Sequence, residues 1–458
     1  MYDLIIIGLG PGGYEATLTA LRKGLKIAIV EKDKLGGNCL NRACIPTKFF
    51  WTGAHSIDNL GNLKNYGIKV EKESIDYTTA WENKERNISF LRKSLNNLLK
   101  SKKVPVYKGT GRIIDKHKVK ISYKDGSHEI IEGKNILIAT GSKPSSVGNI
   151  VPDGEYVITT EDYMDKLTKL PESILVVGGG VAGCELSYIM NRYGVKVHIV
   201  EIKDRLLPLK IISSEISRYL LRKFKKIGIS TYFNTTIKGF SLEGDKIKVD
   251  LSEDKSLVVD KILLSVGRKP NSDIDDIGIE KDEKGFIKVN QYLQTNFDNI
   301  YAVGDVINSP MLAHVAQYEA KIAMNNILNE KKEIPDYSLI PYAIFTAYEI
   351  SHVGLNEDMA REKGIETVSG YYPYTYNEKA VDESQTEGFV RLIFNKGDKK
   401  LIGGSIVGIG ASELIQEISL MINSGFTAKE VHEYIYFHPS LSEIFAYASY
   451  DVAIGKLF

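Results

Sequence analysis

Two segments of the chain, residues 4–31 and 174–201, repeat one pattern of apolar and polar positions. Each begins with a short apolar run, continues through a glycine-rich turn and an amphipathic stretch, and closes with a second apolar run that ends on an acid. The apolar runs are too short for helices, so the pattern predicts two strand–helix–strand (βαβ) units. Hydrophobicity within each run is continuous rather than alternating, which indicates parallel strands buried on both faces.

Further apolar runs extend this pattern along the chain. Residues 135–139, 261–266 and 299–303 are predicted to add strands, and the first two runs lead into glycine turns. In the last quarter of the chain the pattern of apolar and polar positions changes. Strand-like runs at 390–394 and 401–407 alternate there with helical stretches, as at 413–422, and no glycine fingerprint appears.

These patterns predict an α/β fold with two Rossmann-like (βαβ) dinucleotide-binding domains, the second inserted in the first, and a C-terminal α+β domain. We expect residues 1–146 and 266–336 to form the first domain, 147–265 the second, and 337–458 the third. The length of 458 residues agrees with several domains, because single hydrophobic cores stop growing at about 250–300 residues.

Composition and charge exclude several classes of protein. The 59 basic and 58 acidic side chains balance to a net charge of +1, which argues against a nucleic-acid-binding protein. No apolar segment approaches the roughly 20 residues that span a bilayer, so no membrane association is expected. Three cysteines are too few for a secreted disulfide framework, and the start of the chain lacks a signal-peptide pattern. We therefore expect a cytoplasmic protein.

Each βαβ unit has the features of a dinucleotide site. In G-x-G-x-x-G the first glycine makes the tight turn, the second lets backbone approach a pyrophosphate, and the third lets the helix pack on the strand. The helix N-terminus offers N–H groups to the phosphates, and an acid about 20 residues on can accept hydrogen bonds from a ribose. These roles fall to Gly8, Gly10, Gly13 and Glu31 in the first unit, and to Gly178, Gly180, Gly183 and Glu201 in the second. An ordinary glycine-rich turn, the alternative, would have to occur twice.

Glu201 also distinguishes between the nicotinamide cofactors. A carboxylate repels a 2′-phosphate, so the second site should prefer NAD(H) over NADP(H). Lys203 and Arg205 are close in sequence, and we interpret them as solvated surface charges.

Cys39 and Cys44 follow the first unit and need an explanation in a reducing compartment. In a regular helix their Cα atoms would be roughly 8–9 Å apart, whereas a disulfide needs about 4.4–6.8 Å, so a bond requires a distorted helix start. Pro46 supplies a reason for distortion, because it cannot donate to the carbonyl of Arg42. Three interpretations stay open: a redox-active dithiol, which we favour, two unrelated buried thiols, or a metal site. Cys184 is interpreted as a packed core thiol.

Motifs along nearly the whole chain resemble those of the pyridine nucleotide–disulfide oxidoreductases. They are Gly36–Lys48 with both cysteines, Ala139–Gly141, Val266–Asn271, Tyr301–Asp305, Pro310–His314 and His438–Glu443. The resemblance implies FAD at the first site, NAD at the second, and no metal. The residues it places at the two cofactors are Gly8, Gly10, Gly12, Gly13, Glu31, Lys32, Gly37, Asn38, Lys48, Gly111, Thr140, Gly141, Ser142, Gly178, Gly180, Val181, Gly183, Glu185, Glu201, Gly267, Asp305, Met311, Leu312, Ala313 and His314.

Within the family, the pattern is most similar to that of members that oxidise a protein-bound dihydrolipoyl group with NAD⁺. The resemblance implies that electrons pass from the substrate to the Cys39–Cys44 disulfide and then through FAD, with Cys44 nearer the flavin. Two positions depart from the usual pattern: Arg42-Ala43 stands where Val-Gly is commoner, and Tyr436 stands where a histidine often occurs.

The resemblance assigns further catalytic roles. His438 is the expected base, oriented by Glu443, and Lys48 and Glu185 are expected to pair beside the flavin N5. In the family the His–Glu pair comes from the other subunit, which implies a homodimer with a shared active site and a C-terminal dimerisation domain. The implied partner is the lipoyl group of a 2-oxoacid dehydrogenase or glycine-cleavage complex.

Two alternatives to this function stay open. One is an NAD(P)H-dependent reductase of another disulfide, and the other is a non-enzymatic subunit that binds flavin only structurally. Among the remaining histidines, His352 is interpreted as a surface or loop residue.

Overall fold

A computed structural model of the chain describes residues 1–71, 74–148, 150–328 and 332–455. Residues 1–148 form a βαβ unit, the two helices that carry the cysteines, a long helix and an antiparallel hairpin. Their elements are β1 (Tyr2–Ile7), α1 (Pro11–Arg22), β2 (Ile27–Val30), α2 (Gly37–Asn41), α3 (Cys44–Leu60), a 3₁₀ turn (Leu63–Tyr66), α4 (Tyr77–Ser101), β3 (Val106–Tyr107), β4 (Thr110–Asp115), β5 (Lys118–Ser122), β6 (His128–Ile138) and β7 (Ser142–Pro144).

The second βαβ unit follows, with a small antiparallel sheet after it. These elements are β8 (Val157–Thr159), α5 (Thr160–Lys166), β9 (Ser173–Val177), α6 (Val181–Arg192), β10 (Lys196–Val200), α7 (Ser214–Lys226), β11 (Ser230–Tyr232), β12 (Ile237–Glu243), β13 (Lys246–Leu251), a 3₁₀ turn (Ser252–Asp254), β14 (Ser256–Val259) and β15 (Lys261–Leu264).

The rest of the chain returns to the first sheet and then builds a separate antiparallel sheet with helices. These elements are β16 (Arg268–Pro270), β17 (Ile300–Ala302), a 3₁₀ turn (Gly304–Val306), α8 (Ala313–Leu328), β18 (Tyr342–Phe345), β19 (Glu349–Gly354), α9 (Glu357–Glu362), β20 (Thr367–Pro373), a 3₁₀ turn (Tyr374–Tyr376), α10 (Glu378–Asp382), β21 (Phe389–Asn395), β22 (Leu401–Val407), α11 (Ala411–Asn423), α12 (Ala428–Glu433) and α13 (Ile444–Ala453).

The first sheet has the strand order β3-β2-β1-β6-β5-β4, and β17 also pairs with β6. Its centre is parallel, with Ile5 opposite both Ala28 and Ile136. The second sheet, β11-β10-β9-β15-β8, is parallel throughout. Both β1 and β9 are buried over their apolar runs, as continuous hydrophobicity predicted.

A two-stranded ribbon, β7 against β16, lies where the chain passes between the two parallel sheets. The third sheet, β18-β19-β22-β21-β20, is antiparallel and packs against α11 and α13. The predicted fold class is therefore confirmed, whereas the division of the chain at residues 146, 265 and 336 stays a prediction. No helix in the described ranges is both long and apolar enough to cross a bilayer.

Predicted elements differ from the observed ones mainly in length. Residues 135–139 are largely the end of the 11-residue β6, whose first half extends into the hairpin with β5. The predicted helix at 413–422 starts two residues earlier, in α11. Exposed polar residues in the first half of β6 hid its length, because they interrupt the apolar run.

Candidate active site

Both glycine turns lie where a parallel strand ends and a helix begins, and their geometry is the same. Gly8 and Gly178 have φ values of +96° and +105°, a region that favours glycine. A Cβ atom on Gly13 would be 2.0 Å from the carbonyl oxygen of Gly8, and on Gly183 it would be 1.9 Å from that of Gly178. The close approach of helix to turn therefore requires the third glycine of each motif.

The helix that follows each turn has a free N-terminus. As the structure describes them, α1 and α6 begin without a side-chain cap, whereas α4, α5 and α7 are capped by Asp76, Thr159 and Ser213. Uncapped N–H groups and the positive end of the helix dipole suit a pyrophosphate. Both turns fit the dinucleotides predicted for them.

Glu31 and Glu201 occupy equivalent positions at the two turns. Glu31 accepts hydrogen bonds from the Leu9 N–H (2.7 Å) and the Asp33 N–H (2.9 Å). Glu201 accepts the same pair from Gly179 (2.6 Å) and Lys203 (2.8 Å). Each carboxylate is buried at the C-terminal end of its strand and keeps acceptor capacity for ribose hydroxyls. Burial raises the pKa of Glu31, although the two amide hydrogen bonds oppose it.

The segment that carries the cysteines packs directly on the first turn. Gly37 contacts Gly10 so closely that a Cβ on Gly37 would be 2.6 Å from the Gly10 Cα. The next residue, Asn38, has a buried side-chain oxygen without a hydrogen-bond partner among the described residues. A buried acceptor of this kind needs a donor, and a cofactor bound at the turn would supply one.

Asp305 joins this region from the end of β17, which pairs with β6 beside β1. It lies in the 3₁₀ turn after β17 and accepts a hydrogen bond from the Ser142 hydroxyl (2.6 Å). Ser142 in turn accepts from Arg268 Nε (2.7 Å), and Arg268 pairs with Glu161 at 2.9 Å. This chain of contacts connects the predicted flavin carboxylate to the start of α5 at the second sheet.

The remaining predicted cofactor residues lie on the segments that border the two turns. Gly12 packs on α8, Lys32 is exposed after β2, and Gly111 packs on the ends of β1 and β2. Thr140 and Gly141 are hydrogen-bonded to Asn271, Val181 is the first residue of α6, and Gly267 precedes β16. At the start of α8, Met311 and Leu312 precede the helix, and Ala313 and His314 are its first two residues. Their contacts with cofactors stay predictions.

The two cysteines lie at the meeting point of two helices rather than within one. Cys39 is in α2, and Cys44 is the first residue of α3. The break falls at Arg42 and Ala43, whose backbone is not helical, and it includes the carbonyl that Pro46 was predicted to leave without a donor. This is the distorted start that a bond between cysteines five residues apart requires.

The two thiols are in hydrogen-bond contact and differ in acidity. The Cys39 thiol donates to the Cys44 sulfur, which lowers the pKa of Cys44 and raises that of Cys39. The positive charge of Lys48 also favours the Cys44 thiolate, whereas burial opposes it. Cys184 is fully buried, and burial raises its pKa, as a core thiol requires. A dithiol with one stabilised thiolate is the arrangement that thiol–disulfide exchange uses.

Lys48 and Glu185 pair as predicted, at 3.1 Å between Nζ and Oε1. A residue that the sequence did not indicate completes the pair. Phe345, at the end of β18, donates its N–H to the same Glu185 oxygen (2.9 Å), and its ring lies 4.3 Å from Lys48 Nζ. The ring and the amide therefore fix both members of the pair from the third sheet.

His438 and Glu443 also pair as predicted. His438 Nδ1 lies 2.9 Å from Glu443 Oε1, and Ser440 donates its N–H to Oε2 (2.8 Å). The carboxylate raises the pKa of His438 and fixes its ring, which leaves Nε2 directed elsewhere. Tyr436, the departure noted in the sequence, bonds to the Val431 carbonyl and packs on Phe445, so its role is structural.

Glu319 is a second residue that sequence reasoning missed. It is fully buried in α8 and accepts hydrogen bonds from the Gly304 N–H (2.6 Å) and the Tyr337 hydroxyl (2.8 Å). Burial raises its pKa. It thereby holds the turn that carries Asp305. A signal was present, since Glu319 lies among the apolar positions of one helix face, with Val315, Ala316 and Ala320.

The interpretation of His352 was wrong. It lies within β19 and is buried, with Nδ1 bonded to the Ser405 hydroxyl (2.9 Å) and Nε2 to the Gly354 carbonyl (3.0 Å). Burial lowers its pKa to about 4, so it is a neutral core residue. Within the described ranges, no group of three or more His, Cys, Asp and Glu side chains could hold a metal ion.

Two dinucleotide turns, with a dithiol between them, define a nicotinamide-dependent disulfide oxidoreductase. Comparison with known proteins agrees. Residues 2–320 match the family model "Pyridine nucleotide-disulphide oxidoreductase", and residues 340–449 match that family's dimerisation domain. The chain belongs to the pyridine nucleotide–disulphide oxidoreductase family.

Several curated relatives are named dihydrolipoyl dehydrogenase. Dihydrolipoyl dehydrogenase of Bacillus subtilis is 36% identical over 99% of this chain and 97% of that protein. The mitochondrial dihydrolipoyl dehydrogenase of Bos taurus is 34% identical over 99% and 91%. Among solved structures, LpdA from Mycobacterium tuberculosis superposes with a TM-score of 0.91 at 26% identity over 98% of this chain and 99% of that one. The flavoprotein disulfide reductase RclA of Escherichia coli superposes at 0.88, with 25% identity over 98% and 99%.

These findings confirm the predicted resemblance, the enzyme class and the two cofactors. The protein is a flavoprotein oxidoreductase that uses FAD and NAD. The match to the dimerisation domain supports the predicted homodimer.

Glu201 leads to a prediction about the nicotinamide cofactor. We expect kcat/KM for NADH to exceed that for NADPH by about 100-fold, because a buried carboxylate at the ribose repels a 2′-phosphate. Glu201→Ala should lose most of this preference, measured by steady-state reduction of a dye with each cofactor. Lys203 is exposed, and Lys203→Ala is the control that should retain it. Equal efficiency of wild type with both cofactors would contradict the role of Glu201.

Proposed function

We propose that this enzyme oxidises a protein-bound dihydrolipoyl group to its disulfide, with NAD⁺ as the final acceptor. The observation that carries the proposal is the cysteine pair at the junction of α2 and α3, which lies beside the Lys48–Glu185 ion pair. The dihydrolipoyl dehydrogenases among its relatives support the substrate. The partner is accordingly the lipoyl group of a 2-oxoacid dehydrogenase or glycine-cleavage complex.

In the proposed reaction the oxidised enzyme carries a Cys39–Cys44 disulfide. His438 takes the proton of one substrate thiol, and the resulting thiolate attacks Cys39 Sγ and displaces Cys44 as a thiolate. The second substrate thiol then displaces Cys39, which leaves the lipoyl disulfide and a reduced pair. The substrate has lost two electrons and two protons; the pair has gained the two electrons, one proton is on His438, and the other passes to the Cys39 sulfur as it is displaced. When bound, FAD supplies two-electron transfer between this dithiol and NAD⁺.

The placement of His438 supports a base supplied by the partner subunit. Its side chain is 66% exposed, and it follows Ile435 and Phe437, which are 91% and 78% exposed. Large apolar side chains at such exposure are typical of a surface that a second copy covers. We propose that the dimer brings His438 of one subunit to Cys39 of the other.

A groove beside the dithiol supports an extended aliphatic substrate. It has a volume of about 440 Å³, lies between α3 and α4, and is lined by Ile45, Phe49, Phe90 and Leu91 together with Lys48. Apolar walls next to a reactive sulfur pair suit a flexible hydrocarbon arm that carries a dithiol.

The proposal is tested by steady-state kinetics of the purified holoenzyme. We expect kcat/KM for dihydrolipoamide with NAD⁺ to exceed that for glutathione disulfide with NADH by at least about 100-fold, because the mostly apolar groove suits a hydrocarbon arm better than a highly charged peptide disulfide. NADH-dependent dye reduction is the control for flavin function. Dye reduction without dihydrolipoamide oxidation would indicate another disulfide substrate, and absence of both activities would indicate a non-enzymatic subunit.

A further inference from the structure

Arg42 departs from the usual family pattern, and the proposed reaction assigns it no role. It belongs to the two-residue joint between α2 and α3, with φ −140° and ψ −6°, and it is followed by Ala43 with φ −126° and ψ −94°. The joint separates Cys39 from Cys44. Its conformation, rather than either helix, therefore decides how closely the two sulfur atoms approach.

The guanidinium of Arg42 is held by two carboxylates from different parts of the fold. Nε donates to Asp165 Oδ2 (2.5 Å), and one terminal nitrogen donates to Asp33 Oδ2 (2.7 Å). Asp165 lies in α5, beside the second sheet, and also pairs with Lys34 (3.1 Å). Asp33 follows β2 of the first sheet.

These contacts hold the joint in one place. The Arg42 side chain is only 18% exposed, and a planar guanidinium bound at two of its edges has little rotational freedom. Asp33 is fixed in turn, because its N–H donates to Glu31 Oε1 (2.9 Å). The position of the joint is thus linked to the acid of the first dinucleotide turn and to α5.

We propose that Arg42 is a positioning residue that holds the α2–α3 joint in the conformation that lets Cys39 and Cys44 bond. It thereby sets the reduction potential of the pair. When the joint is freed, more conformational entropy is lost on closing the disulfide, so the oxidised form is disfavoured. The inference rests on the proposed redox role of the two cysteines.

The test is a redox titration of the holoenzyme in mixtures of glutathione and glutathione disulfide. Each glutathione disulfide that oxidises the pair accepts two electrons and two protons and leaves as two glutathione molecules, while one S–S bond forms between Cys39 and Cys44. Free thiols are then alkylated after denaturation and counted by mass spectrometry. Cys184 is a free cysteine that burial protects from oxidation, so it serves as the internal reference for complete alkylation.

We expect Arg42→Met and Asp165→Asn each to lower the equilibrium constant for disulfide formation about tenfold, which makes the potential about 30 mV more positive. Arg42→Lys should give a smaller shift than Arg42→Met, because an ammonium keeps the charge and can pair with one carboxylate but lacks the guanidinium geometry that reaches both. The matched control is Arg391→Met. Arg391 also lies between two carboxylates, Glu215 (2.7 Å) and Glu357 (3.7 Å), but on β21, and its loss should leave the potential unchanged.

The outcomes separate this inference from the function on which it rests. If wild type forms the disulfide and both Arg42→Met and Asp165→Asn titrate within twofold of it, Arg42 does not position the pair, and the proposed function stands. If the wild-type enzyme forms no Cys39–Cys44 disulfide at any ratio of glutathione to glutathione disulfide, both this inference and the proposed function are overturned. Should Arg42→Met fail to fold, Asp165→Asn and Arg42→Lys decide the result.

Discussion

Replacing Cys44 with serine is expected to lower the turnover of dihydrolipoamide on the order of 10⁴-fold or more, a scale typical of the loss of a reacting sulfur or oxygen. Serine cannot form the disulfide that the substrate attacks, so the exchange has no starting point. FAD should stay bound, because the contacts of the glycine turn, Glu31 and Asp305 do not involve the Cys44 sulfur. The measurement is steady-state NAD⁺ reduction together with the flavin absorbance of the purified variant.

The control for this prediction is Cys184→Ser. Cys184 is buried in α6, and its sulfur is 3.2 Å from the Gly179 carbonyl, a contact that a serine hydroxyl can also make. We expect turnover close to that of wild type. Full activity in Cys44→Ser would contradict the proposed reaction, and loss of flavin in that variant would show that Cys44 is needed for cofactor binding instead.

Replacing His438 with glutamine is expected to lower kcat for dihydrolipoamide by about 10²–10⁴-fold, the usual contribution of a general base. Glutamine cannot accept the thiol proton. NADH-dependent dye reduction should be retained, because it needs no substrate thiol. His432→Gln is the matched control, since His432 lies in the same C-terminal segment and bonds through Nδ1 to the Ala446 carbonyl (3.1 Å). Similar losses in both variants would indicate a structural effect on the segment.

The pH dependence gives a second measurement of the same pair. His438 must be neutral to act as the base, and Glu443 raises its pKa. The midpoint of the fall of kcat/KM at low pH should therefore lie at a higher pH than a free imidazole would give. Glu443→Gln removes this cause and should move the midpoint to lower pH while the maximal rate falls. A midpoint that stays in place would show that another group is titrating.

The sequence predicted the parts of the site that depend on short spacing. Gly8, Gly13 and Glu31 fall within one βαβ unit, and a turn, a helix start and a strand end follow from the 28 consecutive residues 4–31. Local backbone geometry leaves few alternatives for such sets. The pairing of His438 with Glu443, which the structure shows, was implied by the family resemblance rather than by spacing.

Sequence reasoning was weaker wherever one residue had to meet another at long range. The non-helical residues Arg42 and Ala43 lie at the carbonyl that Pro46 was predicted to leave without a donor, but the sequence did not indicate that Asp33 and Asp165 bind Arg42 there. His352 was misjudged for a similar reason. Its sequence neighbours favoured a surface or loop position, but β19 places it beside β22, which supplies Ser405.

By itself, the sequence determined that this protein has two dinucleotide turns and a nearby cysteine pair, since each is encoded within a short segment, and the family resemblance added the histidine–glutamate pair. Only the tertiary structure decided that Phe345 holds Lys48 and Glu185, that Glu319 supports the turn of Asp305, and that Arg42 meets Asp165 across 123 residues of chain. The physical reason is that the contacts of Phe345 and Arg42 join separate sheets, and that of Glu319 joins a helix face to a turn. Their partners are selected by packing of whole layers, which no local spacing records.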